Sequence, residues 1–122
     1  MKARPAAGSD ADRERWSADA GSRDVATLDI PAHAQRERSF ELFCRLEVSN
    51  QAGHAQASHG LRVLVNGVLQ WSRSVATHAS GSDSLDLRLR HTVAVGERLR
   101  VTAMAQTRQS LRTRLTINAE EQ

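Results

Sequence analysis

The stretch SFELFCRLEV, residues 39–48, decides the fold. Apolar and polar residues alternate along it almost without a break, which is typical of a strand with one face in a core, because successive side chains of a strand point to opposite sides of a sheet. The pattern therefore predicts a long, half-buried strand. Its apolar face carries Phe40, Leu42, Cys44, Leu46 and Val48, and its other face carries Glu41, Phe43, Arg45 and Glu47.

The same period of two returns in residues 85–95, 98–105 and 111–117, and no stretch shows a helical period beyond one or two turns. Several short strands separated by turn residues predict an all-β fold. We expect an antiparallel β-sandwich or jelly roll of seven to eight strands. The long loop at residues 49–60 is a candidate for a crossing from one sheet to the other.

The pair Asn66-Gly67 between two apolar runs is the strongest hairpin signal in the chain. A three-residue loop would place Leu61 opposite Trp71 and keep the apolar residues on one face. A two-residue loop would place Arg62 opposite Trp71 and split the apolar set, leaving the indole free to stack on a ligand. We predict the three-residue loop.

A chain of 122 residues is the usual length of one domain. Residues 1–24 contain one bulky apolar side chain, Trp16, and cannot bury enough surface to offset the entropy of ordering them. We predict a disordered or loosely docked tail over 1–24 and a sandwich domain over 25–122. Trp16 either docks on the domain, which we favour, or anchors a partner.

Composition indicates a soluble protein of the cytoplasm. The chain has no apolar run long enough to span a membrane and no apolar segment after its charged N-terminus that would resemble an export signal. A lone cysteine, Cys44, cannot form an internal disulfide and suits a reducing compartment. The net charge of +3 is concentrated in residues 61–122, with 9 basic and 5 acidic side chains, against 8 and 9 in residues 1–60.

The sequence contains no nucleophile elbow, phosphate loop, dinucleotide fingerprint or zinc-protease helix, so we predict no catalysis and no cofactor. Cys44 belongs to the core-facing row, where a thiol is usually inert. His54, His59 and His78 lie in loops that could meet, but no thiolate or acidic ligand lies near them in the sequence. We therefore predict no metal site.

Arginines recur at a spacing of two in three C-terminal stretches, so each pair projects from one side of a strand. If the three strands are neighbours, six guanidinium groups share a surface that binds phosphates, sulfates or uronates. This is the alternative function, binding of a polyanion or nucleic acid. The six residues are Arg88, Arg90, Arg98, Arg100, Arg112 and Arg114.

Three stretches within residues 61–101, LRVLVNG with its following Trp71, SLDLRL, and VGERLRV, resemble the jelly-roll modules of carbohydrate-active enzymes. The resemblance implies a β-sandwich that binds a saccharide, although the aromatic platforms and calcium loop common in such modules are missing. We predict a non-catalytic binding or assembly module for a saccharide or protein partner, and exposed edge strands together with Phe43 favour a homodimer. The predicted ligand contacts are Trp71, Arg62, His54 and His59.

Overall fold

The computed structural model describes residues 13–122, which form eight β-strands in two antiparallel sheets of four strands each. This confirms the predicted all-β sandwich. Within these residues, no helix is long and apolar enough to cross a membrane. In chain order the strands are β1 Arg15–Asp19, β2 Val25–Ile30, β3 Arg38–Ser49, β4 Ser58–Val65, β5 Val68–Ala76, β6 Ser82–Val93, β7 Leu99–Arg108 and β8 Leu111–Glu121.

The strand order is that of a jelly roll. One sheet, called sheet A, has the order β1-β8-β3-β6, and the other, sheet B, has the order β2-β7-β4-β5. Every connection except the β4–β5 hairpin passes from one sheet to the other, including the loop between β3 and β4 that the sequence marked as a crossing. The two sheets thus cover each other's apolar faces and leave two outer faces for solvent.

The core is built around β3, which pairs with β8 on one side and β6 on the other. All five residues of its predicted apolar row are 0% exposed. Sheet B faces them with alternating apolar residues of β4 and β7, which are likewise buried. The period-two pattern therefore places the inner faces of β3 and β7 correctly, but it fails at the start of β8, where Leu111 was expected inside and is 66% exposed because the pairing with β3 shifts by one residue there. The facing residues are Leu61, Val63, Val65, Leu99, Val101 and Ala103.

The predicted register of the β4–β5 hairpin is wrong. Asn66 and Gly67 both have positive φ, 50° and 82°, which closes a two-residue turn of the kind that matches the twist of a hairpin. A bulge on β5 then shifts the pairing, so that Trp71 lies opposite Val63 rather than opposite Leu61 or Arg62. Trp71 consequently returns to the inner side of sheet B, where it packs against the core.

Within the predicted tail, Arg15–Asp19 forms edge strand β1 along β8. Trp16 and Ala18 point inward and pack against the core, so the expected docking of Trp16 is confirmed. The sequence pattern missed this strand because it is short and contains a single bulky apolar residue. The rest of the predicted tail, residues 1–12, lies outside the described residues.

A charged network fixes β1 at one end of the sandwich. The Glu14 carboxylate accepts hydrogen bonds from Trp16 Nε1 at 2.9 Å and from the buried Arg38 Nη1 at 2.8 Å. Burial opposes ionisation of Glu14, but these hydrogen bonds and the charges of Arg38 and Arg36 hold its pKa below the ordinary value. Arg36 also binds Glu121, so the start and end of the chain's described part are joined.

Replacing Trp16 by alanine tests whether β1 is part of the folded domain. We expect Trp16→Ala to lower the free energy of unfolding by about 2 kcal/mol, since the indole is half-buried against the core. Urea unfolding measures this loss. The matched control is Arg15→Ala on the exposed side of the same strand, which should change stability by less than about 0.5 kcal/mol. Equal effects of the two substitutions would show that β1 is not docked.

Candidate binding groove

A polar groove of about 510 Å³ lies on the outer face of sheet B, where β4 runs between β5 and β7. Strand register explains its composition. Gly60 lies opposite Gln106 on β7 and opposite Ser74 on β5, and Ser58 lies opposite Arg108, so these side chains share one face. We call this the sheet B groove. Its lining residues are Asp24, Ser58, His59, Gly60, Ser74, Ala105, Gln106, Thr107 and Arg108.

Gly60 forms the floor of the sheet B groove. A Cβ atom at this position would lie 3.2 Å from the carbonyl oxygen of Arg73 and 3.5 Å from the Cβ of Ser74. The neighbouring strand therefore approaches too closely for an unstrained side chain, and the glycine leaves a depression between flanking polar groups. An isolated glycine within a strand pattern often marks such a close approach.

Charged groups stand at the ends and rim of the groove. Within residues 13–122, neither Arg62 nor Arg108 forms a side-chain hydrogen bond or ion pair. Both project from the outer face of sheet B. Arg108 lies opposite Ser58, so the two arginines are four residues apart along the strand direction, or about 13 Å. Asp24 at the rim is paired instead, with its Oδ1 2.9 Å from Arg112 Nε. The groove thus has one uncompensated cation in its lining, Arg108, and a second beside it, Arg62, together with several hydroxyl groups and the Gln106 amide.

The structure does not bring the four predicted ligand contacts together. Arg62 is exposed on the outer face of sheet B, whereas Trp71 lies on the inner side of the same sheet. His54 is exposed in the loop between β3 and β4. His59 is 1% exposed, so its imidazole is not available to a large ligand. Of the four, His59 belongs to the lining of the sheet B groove although it is buried, and Arg62 lies beside the groove on the same face as Gly60.

His59 has a structural role at the end of the core. Its Nδ1 lies 2.7 Å from Thr77 Oγ1, and its Nε2 is buried without a hydrogen-bond partner among the described residues. Burial lowers the pKa of His59, and the charge of Asp83 offsets this only in part. This hydroxyl and imidazole resemble a nucleophile and its base, but Thr77 is 5% exposed, so a substrate has no access to the pair.

The loops that carry His54 and His78 do meet. The Asn50 side chain, 2% exposed, donates from Nδ2 to the carbonyl oxygens of His54 at 2.9 Å and His78 at 3.0 Å. Asn50 Oδ1 also accepts from the His54 N–H at 3.0 Å. These contacts join the backbones of the two loops through the Asn50 side chain and do not involve the imidazoles of His54 and His78. In the part of the chain that the structure describes, no group of three or more His, Cys, Asp or Glu side chains could hold a metal ion.

The six predicted arginines do not form one surface. Arg88, Arg90 and Arg114 lie on sheet A, whereas Arg100 lies on sheet B. Arg98 directly precedes β7, and its carbonyl oxygen accepts from Asn66 Nδ2. The separation removes the shared surface on which the polyanion hypothesis rested.

Four of these six arginines also face a carboxylate. The nitrogen to oxygen distances are 3.6 Å for Arg88 with Glu41, 2.7 Å for Arg100 with Asp29, 2.9 Å for Arg112 with Asp24 and 3.6 Å for Arg114 with Asp19. The Arg100 side chain holds the pKa of Asp29 below its ordinary value by a hydrogen bond. Their charge is largely compensated within the protein, which weakens attraction for a polyanion.

Comparison with solved structures gives the fold. The chain is similar to part of dimeric latent PorU from Porphyromonas gingivalis, with a TM-score of 0.57 and 12% identity over 89% of this chain and 12% of that chain. It also matches a family 35 carbohydrate-binding module from an environmental isolate, with a TM-score of 0.44 and 14% identity over 78% of this chain and 64% of that chain. A family 35 module from Clostridium thermocellum matches with a TM-score of 0.41 and 12% identity over 88% of this chain and 92% of that chain.

At 12% identity the PorU match supports the sandwich fold and nothing beyond it. The chain spans only about an eighth of the length of PorU and just under two thirds of the carbohydrate-binding module from the environmental isolate. No protein-family model and no curated protein matches the sequence. Family 35 carbohydrate-binding modules, which are sandwiches of the kind that residues 61–101 resemble, are among the structural neighbours, and TM-scores below 0.5 show no more than that.

The sheet B groove was not predicted from the sequence. Apart from Asp24, its polar residues come from the β4–β5 hairpin and from β7, which is distant in the chain, and their side chains are individually ordinary. The one usable signal was Gly60 within a strand pattern, since glycine is unfavourable there unless a backbone passes close by. Arg62, two residues further on, was selected because the alternative two-residue register would place it opposite Trp71, whereas the structure pairs Trp71 with Val63.

Stability should fall as the pH drops from about 7.5 to about 5 because of His59. Its pKa in the folded state is below the unfolded value, so the unfolded chain binds the proton more tightly and stability present at neutral pH is lost on acidification. Urea unfolding at both pH values measures the change. His59→Gln cannot titrate and should show a flatter dependence. An unchanged slope in the variant would contradict this assignment.

Cys44 should resist alkylation in the folded protein. The side chain is 0% exposed, and burial raises the pKa of its thiol to about 12, so almost no thiolate exists at neutral pH. We expect labelling by a maleimide to proceed only at the rate of global unfolding and to become rapid in denaturant. Rapid labelling under native conditions would show an accessible thiol and reopen a role for Cys44 in chemistry.

Proposed function

We propose that the protein is a non-catalytic binding module that holds a saccharide in the sheet B groove. The observation that carries the proposal is the set of short hydroxyl and amide side chains around the Gly60 floor, with two unpaired guanidinium groups beside it. Sugar hydroxyls both donate and accept hydrogen bonds, and this set supplies both functions. A largely polar groove is poorly suited to an apolar ligand.

Each side chain has a definite part in this proposal. Ser58 and Ser74 exchange hydrogen bonds with sugar hydroxyls, and Gln106 supplies one acceptor and two donor positions. Arg62 and Arg108 donate to ring substituents at opposite ends, and they would bind most strongly to a carboxylate or sulfate. The glycine floor lets a sugar ring approach the backbone of β4.

Substrates have no access to the side chains that could act as nucleophiles, which supports a non-catalytic role. Cys44 is fully buried, and the Thr77 hydroxyl and His59 imidazole are closed off from solvent. Groups that reach the sheet B groove are a carboxylate paired with Arg112, guanidinium groups, hydroxyls and an amide. This combination binds and orients but offers no activated nucleophile with an accessible base.

Titration of the isotope-labelled protein with short neutral and short uronate-containing oligosaccharides tests the proposal. We expect amide shift changes at Ser58, Gly60, Ser74 and Gln106. Gln106→Ala should weaken binding of both ligand types about 5-fold, from the loss of neutral hydrogen bonds. Arg108→Ala should weaken binding of the anionic ligand about 10-fold or more and that of the neutral one much less.

The matched control is Arg100→Ala, which removes an arginine from the outer face of sheet B but away from the groove lining. It should leave affinity unchanged. Shift changes confined to other surfaces, or none with any oligosaccharide, would refute saccharide binding at this groove. Binding of short DNA with a steep salt dependence, in place of binding to neutral sugars, would favour the polyanion alternative.

A further inference from the structure

The outer face of sheet A carries a regular pattern of charges around one aromatic ring. Phe43 lies at its centre, half-buried, with the Arg88 guanidinium 4.2 Å from the ring centroid. The registers of β1, β8, β3 and β6 arrange the outward side chains in rows across the strands. We call three of these rows, each read from β1 through β8 and β3 to β6, the charged face. The first row is Arg15, Glu120, Glu41 and Arg90, and the central row is Ser17, Asn118, Phe43 and Arg88. The third row is Asp19, Thr116, Arg45 and Asp86.

The charge changes sign across the central row on three of the four strands. On β3, Glu41 lies two residues before Phe43 and Arg45 lies two residues after it. A reversal of charge also occurs on the two edge strands of the sheet. On β8, the acidic Glu120 in the first row corresponds to the neutral Thr116 in the third row. The reversed pairs are Arg15 with Asp19, Glu41 with Arg45, and Arg90 with Asp86.

We infer that the charged face is the interface of a symmetric homodimer. A two-fold axis lying in the interface along the central row places each first-row residue opposite the third-row residue of the same strand in the partner. Glu41 then meets Arg45 of the partner subunit, and the other two reversed pairs meet likewise. Six opposite-charge contacts surround Phe43, which packs on Phe43 of the partner subunit. An apolar centre within a charged rim is the usual anatomy of an interface.

Arg88 is the charged residue of the central row, and this symmetry brings it against its own copy. Its guanidinium is held by stacking on Phe43, and its Nη1 lies 3.6 Å from Glu41 Oε1, which offsets its charge. The charged face is also small, with four strands about 4.8 Å apart and rows spanning about 13 Å. Arg45 already binds Asp86 of its own subunit at 3.1 Å, so the contacts across the axis use charges that are partly compensated. A contact of this size and polarity forms a weak dimer that is sensitive to salt.

A charge-swap experiment tests the inferred dimer. Sedimentation equilibrium at low salt, from about 10 µM to about 1 mM protein, should show reversible dimerisation of the wild type. Glu41→Arg sets two arginines against each other across the axis, and Arg45→Glu sets two glutamates against each other, so each variant alone should be monomeric. An equimolar mixture of the two variants restores both opposite-charge contacts and should dimerise again.

The control pair is Asp29→Arg and Arg100→Glu, the ion pair on the outer face of sheet B, which should leave dimerisation unchanged. A wild type that stays monomeric throughout, single variants that still dimerise, or a mixture that stays monomeric would each overturn the inference. A change in the NMR signals of Phe43 on adding an oligosaccharide, of the same size at every protein concentration, would also overturn the inference, since the charged face would then bind the sugar rather than a second subunit. The test does not depend on the sheet B groove.

Discussion

The structure depends on the strict separation of the two faces of β3. A strand with an apolar row on one side and three charges on the other can be stable only if a second sheet covers the apolar side, and β3 pairs with strands on both of its edges. The inner row is completely buried, and a slip of one residue would expose it and bury three charges. This constraint fixes the register of sheet A and, through it, the arrangement of every outward side chain on that sheet.

The two ends of the sandwich are closed by polar contacts of different kinds. At one end, Arg38 and Glu14 form a partly buried ion pair that holds β1. At the other, Asn50 joins two loops through their backbone groups. With the ends occupied by structural contacts, the outer faces are the surfaces left for recognition. The sheet B groove and the charged face lie on opposite sides of the molecule, so a dimer through sheet A would present two grooves pointing away from each other, which favours multivalent ligands.

Alternation of apolar residues predicted the fold, and the structure shows where this signal ends. It identified β3, β6, β7 and β8 because these strands are long and half-buried. It missed β1, which is short, and it misplaced Trp71, because a bulge in β5 depends on the strands on either side rather than on local sequence. The binding groove was beyond sequence reasoning for a related reason. Gly60, Ser74 and Gln106 become neighbours only through the strand order of sheet B.

The most direct test of the account is the position of a bound sugar relative to the two outer faces. Paramagnetic broadening by a spin-labelled oligosaccharide measures this for every backbone amide. We expect broadening at the adjoining ends of β4, β5 and β7, around Gly60, with β3 unaffected. Broadening centred on Phe43 would contradict it, because the sugar would then occupy the face assigned to the second subunit.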